Sequence, residues 1–364
     1  MKRTRLLLVG AGRRAQSVLL PAMHCMQPWI ELVGVCTRTA RELILPDGRS
    51  RWSTTPLGEA DVQTIDVILV AVPARQVPRV LATLQGRDTT HVTLMLDTPV
   101  LDPRDMGARR AFSRFRRVLA SEECFALPPF VLARRLLREG AVGRLRRAYL
   151  FHSGFRYHAL ASLKQLAGVG QPARIAIRRW NPSCADIEVE FRNGVRATIV
   201  EPRRYDSGRM MIVGSAGFLT DYPMKHKEAV RIDVRTENGR YVGLSVNGAP
   251  EAPLRLDSAW TDGLAGMELA DVSLMTQLKI RGFMELLAAL GDDSSPFRYP
   301  ADEAILDNIS LHLAERLGML SRVPLFGRSS LLGPLARTAL GFLPPRGAEE
   351  EDVERVARNS DAEE

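Results

Sequence analysis

The segment "RLLLVGAGRRA", residues 5–15, constrains this chain more than any other. A short apolar run ends in Gly10, Ala11 and Gly12, and a helix-compatible stretch from Arg14 to Met26 follows at once. Strand, glycine turn and helix in that order make the G-x-G-x-x-G/A arrangement of a dinucleotide-binding βαβ unit, with Ala15 in its last position. Gly10 permits the tight turn, and Gly12 lets a pyrophosphate approach the backbone. Ala15 is small enough for the helix to pack closely on the sheet. The unpaired N–H groups and dipole of the helix then face the phosphates.

The next hundred residues keep to that plan. "ELVGVCTR", "IDVILVAVP" and "HVTLMLDTP" are nearly continuous in apolar residues and are separated by helical segments. Strands of that kind belong to a parallel sheet covered on both faces. The expectation is a doubly wound Rossmann domain over residues 1–121. From about residue 145 the rhythm changes. "DIEVEFRNGVRATIV" and "VRIDVRTENGRYVGLSV" each set Asn-Gly between alternating runs, which predicts hairpins with two-residue primed turns at Asn193-Gly194 and Asn238-Gly239. Helical stretches precede these strands ("PPFVLARRLLREG", "HALASLKQLAG") and follow them ("DVSLMTQLKIRGFMELLAAL", "ADEAILDNISLHLAERLGML"). The second domain, residues 122–344, is therefore expected to be α/β, with a mostly antiparallel open sheet exposed on one face. Residues 345–364 have little to bury and are expected to form an acidic, disordered tail.

Charge and cysteine usage narrow the partners. The net charge of +8 conceals a tail, 348–364, with eight acidic and two basic side chains, so the remainder carries +14. Yet 45 of the 50 basic residues are arginine, and runs such as "RRAFSRFRR" are spaced as solvated helix faces without interleaved stacking aromatics. That pattern argues against nucleic acid. Cys25, Cys36, Cys124 and Cys184 are scattered and form no CxxC pair, which points to reduced thiols in a cytoplasm. The six histidines and four cysteines show no ligand spacing, so no metal is expected. The apolar runs are too short to span a bilayer as helices.

The end of the second strand bears on the cofactor. An NAD site usually places a carboxylate there for the ribose 2′-hydroxyl. This chain reads Cys36-Thr37-Arg38-Thr39, with no carboxylate before Glu42. Arg38 suits a 2′-phosphate through its guanidinium fork, and Thr37 can add a hydroxyl bond, so NADP(H) is favoured over NAD(H). Arg13 or Arg14 is placed to stack on the adenine or touch a phosphate. Val72 and Pro73 after the third strand, with Asp97 and Pro99 at the end of the fourth, complete the expected cofactor contacts.

The order and spacing of "LLLVGAGRRAQSVLLPAM", "ELVGVCTR", "IDVILVAVP", "LDTP", "EGAVGRLRRAYL", "HALASLKQLAG" and "MIVGSAGFLTD" resemble the Gfo/Idh/MocA oxidoreductases over roughly the first 220 residues. The resemblance implies a Rossmann domain followed by an α/β domain whose open sheet often forms the oligomer interface. It implies a homo-oligomer and a small-molecule substrate, commonly a sugar or cyclitol, lying between the domains. It also implies a Glu-Lys-Pro motif where this chain has Asp97-Thr98-Pro99. The family's helical aspartate–histidine pair falls here on Gly154 and His158.

The lysine and the aspartate are thus both replaced. A threonine hydroxyl bonds well but is too weakly acidic to serve as a base, whereas an unperturbed histidine titrates near pH 6.5. His158 assisted by Tyr157 is therefore the expected proton-exchange pair, with Thr98 orienting the reacting oxygen beside Asp97 and Pro99. Lys164 lies about 240° around an ideal helix from His158 and should point elsewhere. Tyr205 and Tyr222 are further candidates for substrate contact. Two functions stay open: an NADP(H)-dependent oxidoreductase acting on a sugar, cyclitol or imine, and a cofactor-binding sensor or partner protein without turnover.

Overall fold

Strands buried on both faces build the first sheet. β1 (Thr4–Val9), β2 (Ile30–Cys36), β3 (Val67–Val70), β4 (Thr93–Asp97) and β5 (Arg117–Ser121) pair in parallel, in the order β2-β1-β3-β4-β5. Leu6, Leu8, Ile68, Leu69, Val70, Leu94 and Leu96 are completely enclosed. Strand order reverses between β1 and β3, and such a switch point opens a crevice beyond the carboxyl ends of the strands. The computed structural model describes residues 3–44, 48, 51–181, 184–201, 208–224, 226–264, 267 and 272–321. The expected tail and Tyr205 lie outside them.

The helix after the glycine turn is not uniform. Residues Ala15–Leu19 form a π turn, and α1 (Leu20–Cys25) continues it. Pro21 explains the widening. It has no N–H for the ladder, and its ring crowds the preceding turn of an α-helix.

The second sheet has ten strands: β6 (Leu145–Phe151), β7 (Pro172–Asn181), β8 (Cys184–Phe191), β9 (Arg196–Val200), β10 (Arg209–Gly214), β11 (Phe218–Thr220), β12 (Ala229–Glu237), β13 (Arg240–Val246), β14 (Ala249–Pro250) and β15 (Met319–Ser321). Their order is β14-β13-β12-β11-β10-β6-β9-β8-β7-β15. Pairing is antiparallel except between β6 and β9 and between β11 and β12. Alternation sets the faces: Ala185, Ile187, Val189 and Phe191 of β8 are buried, while Asp186, Glu188 and Glu190 are less so. The chain also forms helices α2 (Val77–Thr83), α3 (Pro128–Arg138) and α5 (Asp257–Leu264), while α4 (Arg156–Ala167) and α7 (Ala301–Leu317) pack on this sheet. α7 also reaches β5, and α6 (Leu274–Ala289) packs against the π turn and α1.

The two Asn-Gly signals resolve differently. Asn238 and Gly239 have φ of 51° and 74°, the two positive values of a type I′ turn between β12 and β13. At the other hairpin, Phe191 donates its N–H to the Val195 carbonyl and only Gly194 has positive φ, at 80°. The loop there has three residues, 192–194, rather than the expected two. Asn193 Oδ1 accepts the Val195 N–H, so the asparagine caps the turn from an ordinary conformation and leaves the left-handed position to glycine.

Candidate active site

The glycine turn sits at the ends of three neighbouring strands. Gly10 donates its N–H to the Cys36 carbonyl, and Ala71 donates to Val9. Gly10 has φ of 107°, and a Cβ there would lie 2.2 Å from the Ala71 carbonyl oxygen and 3.1 Å from Val72 Cγ1. The glycine is thus fixed by backbone as well as by the turn. Gly10→Ala is expected to destabilise the fold by well over about 1 kcal/mol, read from the urea midpoint. An unchanged midpoint would mean that the turn is looser than described. Gly12 differs: no atom lies within 4 Å of its Cβ position, so the backbone there is open to a ligand.

The loop after β2 carries the residues expected from the sequence to meet an adenine-side phosphate. Arg38 is exposed. Thr37 gives its hydroxyl proton to the Thr39 carbonyl at 2.7 Å and lies 2.6 Å from Thr54 Oγ1. Its hydroxyl is engaged within the loop, bonding both Thr39 and Thr54. The exposed Arg41 reaches back to donate to the Ala11 carbonyl inside the glycine turn. Sequence reading passed over Arg41 because it lies beyond the strand end. Arg13 is exposed at the turn, Val72 is half-buried, and Pro73 is exposed beside it.

Arg14 turns toward the strand ends, away from the adenine side. Its fork donates to both Glu123 oxygens at 2.8 and 2.7 Å, and its Nε lies 2.6 Å from Asp97 Oδ2. Asp97 ends β4, where it pairs in register with Ser121 at the end of β5. Burial works to raise the Glu123 carboxyl, but the Arg14 charge and hydrogen bonds outweigh it and hold the group at about 2. For Asp97, burial prevails over the pull of Arg14, and its carboxyl stands above its ordinary range. The difference follows from geometry, because the bidentate side of the guanidinium faces Glu123.

His158 is held by a residue the sequence did not single out. Its Nδ1 lies 2.6 and 2.7 Å from the two oxygens of Glu122, a carboxylate only 1% exposed. The two are 36 residues apart, so no local spacing could have joined them. Tyr157 packs against the His158 ring with centroids 4.3 Å apart. Gly154 precedes α4 rather than lying on it, so an i, i+4 pair on one helix does not exist here. Glu122 supplies from another element the carboxylate absent at position 154. Tyr222 packs edge-on against Phe151, with centroids 5.9 Å apart.

Glu122, Cys124 and His158 bring potential metal-ligand atoms within 4.8 Å of one another. No local spacing announces this grouping, because His158 lies more than thirty residues from the other two. Two ligands on one zinc stand about 3.3 Å apart, wider than the contact between His158 and Glu122, so the geometry is that of a hydrogen-bonded pair. Burial, followed by the charges of Glu122 and Glu123, pushes the Cys124 thiol well above its usual range, which keeps it protonated.

Three buried polar atoms at these strand ends lack a hydrogen-bond partner among the described residues: Asp97 Oδ1, Thr98 Oγ1 and Ser121 Oγ. Buried polar atoms are normally satisfied, so a group of orphans marks a place for a polar ligand. The Thr98-Pro99 peptide is cis. A cleft of about 640 Å³ lies at the N-terminal end of the edge strand β5, among Arg109, Arg110, Arg116 and Arg117, and none of the residues above lines it.

A parallel sheet with a glycine turn, followed by a ten-stranded open sheet, has close parallels among solved structures. An NAD-binding oxidoreductase from Klebsiella pneumoniae superposes with a TM-score of 0.63 at 12% identity, covering 88% of this chain and 99% of that one. An oxidoreductase domain protein from Kribbella flavida gives 0.60 at 13%, and myo-inositol 2-dehydrogenase from Lactobacillus plantarum gives 0.56 at 13%. Both are matched over 88% of this chain and 100% of their own. The fold is that of the Gfo/Idh/MocA oxidoreductases. No protein-family model and no curated protein matches the sequence. Among the described residues, no helix is long and apolar enough to cross a membrane.

Proposed function

We propose that this chain is an NADP(H)-dependent oxidoreductase acting on a small polyol, sugar or imine, with the His158–Glu122 pair as its acid–base group. The observation that carries the reading is that pair, held at 2.6–2.7 Å near the orphaned atoms of Asp97, Thr98 and Ser121. The residues fit the dinucleotide: Gly12 leaves the backbone open, and Arg38 and Arg41 offer two guanidinium groups for a 2′-phosphate. When bound, the nicotinamide supplies the hydride donor or acceptor. With Nδ1–H given to Glu122, Nε2 is the ring nitrogen left to take a proton from a reacting hydroxyl, and the carboxylate stabilises the resulting imidazolium. Thr98 Oγ1 orients that oxygen. The open face of the second sheet is the surface proposed for homo-oligomer formation.

The test is a fluorescence titration with NADPH and NADH. Bonds to charged groups contribute about 1.5–3 kcal/mol, so Arg38→Ala or Arg41→Ala should each cut the NADPH preference by about 10- to 100-fold. If neither cofactor binds, the glycine turn is a retained scaffold and the reading fails. A second reading, a cofactor sensor without turnover, is favoured by Thr98 and Gly154 standing where the resemblance places lysine and aspartate. It would show cofactor binding but no turnover across a screen of hydride acceptors.

A further inference from the structure

The run "RRAFSRFRR", residues 109–117, reads in the sequence as a solvated helix face, but it forms no α-helix. Residues Pro103–Arg114 form 3₁₀ turns, after which the chain extends at Phe115 and enters β5 at Arg117. In 3₁₀ geometry, side chains three residues apart eclipse each other. Arg109 and Phe112 therefore share one ridge, Arg110 and Ser113 a second, and Ala111 and Arg114 the third. The first two ridges line the cleft of about 640 Å³ at the N-terminal end of β5, whereas Arg114 turns away and donates to the Leu81 carbonyl. Arg116 and Arg117, where the chain extends, add two more guanidinium groups to the lining. Four arginines thus converge on one depression instead of spreading around a helix.

The four differ in what they already hold. Arg109 donates to both Asp302 oxygens at 2.7 and 2.8 Å, and Arg117 lies 2.7 Å from Asp293. Arg110 and Arg116 are exposed, and neither guanidinium has a partner among the described residues. Asp302 is the one carboxylate in the lining, which leaves it at +3, or +2 when Asp293 is counted beside Arg117. α7 also begins at this wall, directly after Pro300, and no side chain caps it, so the positive end of its dipole adds to the field.

The cleft is bounded, which decides the size of its occupant. Beyond it the Ala120 N–H donates to the Tyr299 carbonyl and Leu119 bridges Pro300, so the outer edge of β5 is already covered there. A peptide cannot run on along that edge as an added strand. The volume falls within the range of about 300–1,000 Å³ usual for small-molecule sites.

We propose that this cleft is a binding site for a small organic bisphosphate, with one phosphate on Arg110, the other on Arg116, and the carbon skeleton against Val118 and Pro300. Guanidinium forks recognise phosphate oxygens in pairs, and the two open forks match two phosphates. Each phosphate monoester carries about −1.5 to −2 at neutral pH, so two of them offset the charge of the lining where one leaves it in excess. Arg109 and Arg117, held by Asp302 and Asp293, keep the walls positive without closing on the ligand. The site lies apart from the glycine turn, which sits at the carboxyl ends of the strands, and it does not depend on the oxidoreductase reading.

The experiment is a calorimetric titration of the full-length protein with fructose 1,6-bisphosphate, fructose 6-phosphate and citrate. The bisphosphate should bind once per chain and about tenfold or more tightly than the other two. Arg110→Ala and Arg116→Ala should each weaken it by about 10- to 100-fold, the usual loss for a bond between charged groups. Both residues are exposed, so the urea midpoints of these variants should match wild type. Arg104→Ala removes an exposed arginine of the same 3₁₀ segment that does not line the cleft, and it should change the affinity less than twofold. A crystal structure with the bisphosphate should seat its phosphates on Arg110 and Arg116. The site is overturned if no probe binds at millimolar concentration, or if citrate binds as tightly as the bisphosphate. An equal loss in Arg104→Ala would mean general attraction to a basic surface, and phosphates found only at the glycine turn would place the binding elsewhere; either result also sinks it.

Discussion

Replacing Arg14 by leucine should cost the fold about 3–5 kcal/mol at neutral pH, the range for removing one partner of a buried ion pair. Leucine fills much of the space but leaves Asp97 and Glu123, 13% and 1% exposed, as two buried carboxylates without their cation. The pH dependence identifies the cause. In the wild type Glu123 is held at about 2, below its ordinary 4.5, so its stabilisation is complete above pH 4.5 and is lost as the pH falls through 2. In the variant, burial without Arg14 raises the same carboxyl, so stability should grow as the solution is acidified from pH 8 toward 5. Urea midpoints measured across that range carry the test, and adding Glu123→Gln to the variant should recover part of the loss. A variant whose midpoint matches wild type at pH 8 would show that the Arg14 bridge contributes nothing to the fold.

The parts of this molecule visible in its sequence are those set by near neighbours. β1, the glycine turn and the following helix span about twenty residues, and each signal there is local: the apolar run, Gly10 at positive φ, and a small Ala15 against the sheet. Asn238-Gly239 is legible for the same reason. The π turn was encoded just as locally, in Pro21, but a helix pattern alone does not announce its own widening. What escaped was long-range. Arg14 and Glu123 are 109 residues apart, His158 and Glu122 are 36 apart, and Lys164 finds Tyr299 and Asp307 across more than a hundred. Helical geometry sets Lys164 about 240° around α4 from His158, but it could not reveal that α7 brings Glu303 and Asp307 to meet the lysine. Arg14 shows the same limit in reverse. Its place in the glycine motif suggested a phosphate, whereas the two carboxylates at the ends of β4 and β5 hold its guanidinium.

His158→Ala should lower kcat by about 10²–10⁴-fold, the usual contribution of a positioned acid–base group, while NADPH binds within twofold of wild type. The split follows from the proposed site, since His158 lies on α4 and the residues proposed to meet the phosphates lie on the glycine turn and the loop after β2. Glu122→Gln sharpens the argument. The amide keeps the size of Glu122, but its NH₂ can donate to Nδ1 and force the ring proton onto Nε2, the atom that must accept. It should therefore lose nearly as much turnover as His158→Ala, with KM little changed. If Glu122 merely packed against the ring, the glutamine variant would retain most of its activity. Turnover of His158→Ala within threefold of wild type would remove the imidazole from the chemistry and leave Thr98 as the group in contact with the reacting oxygen.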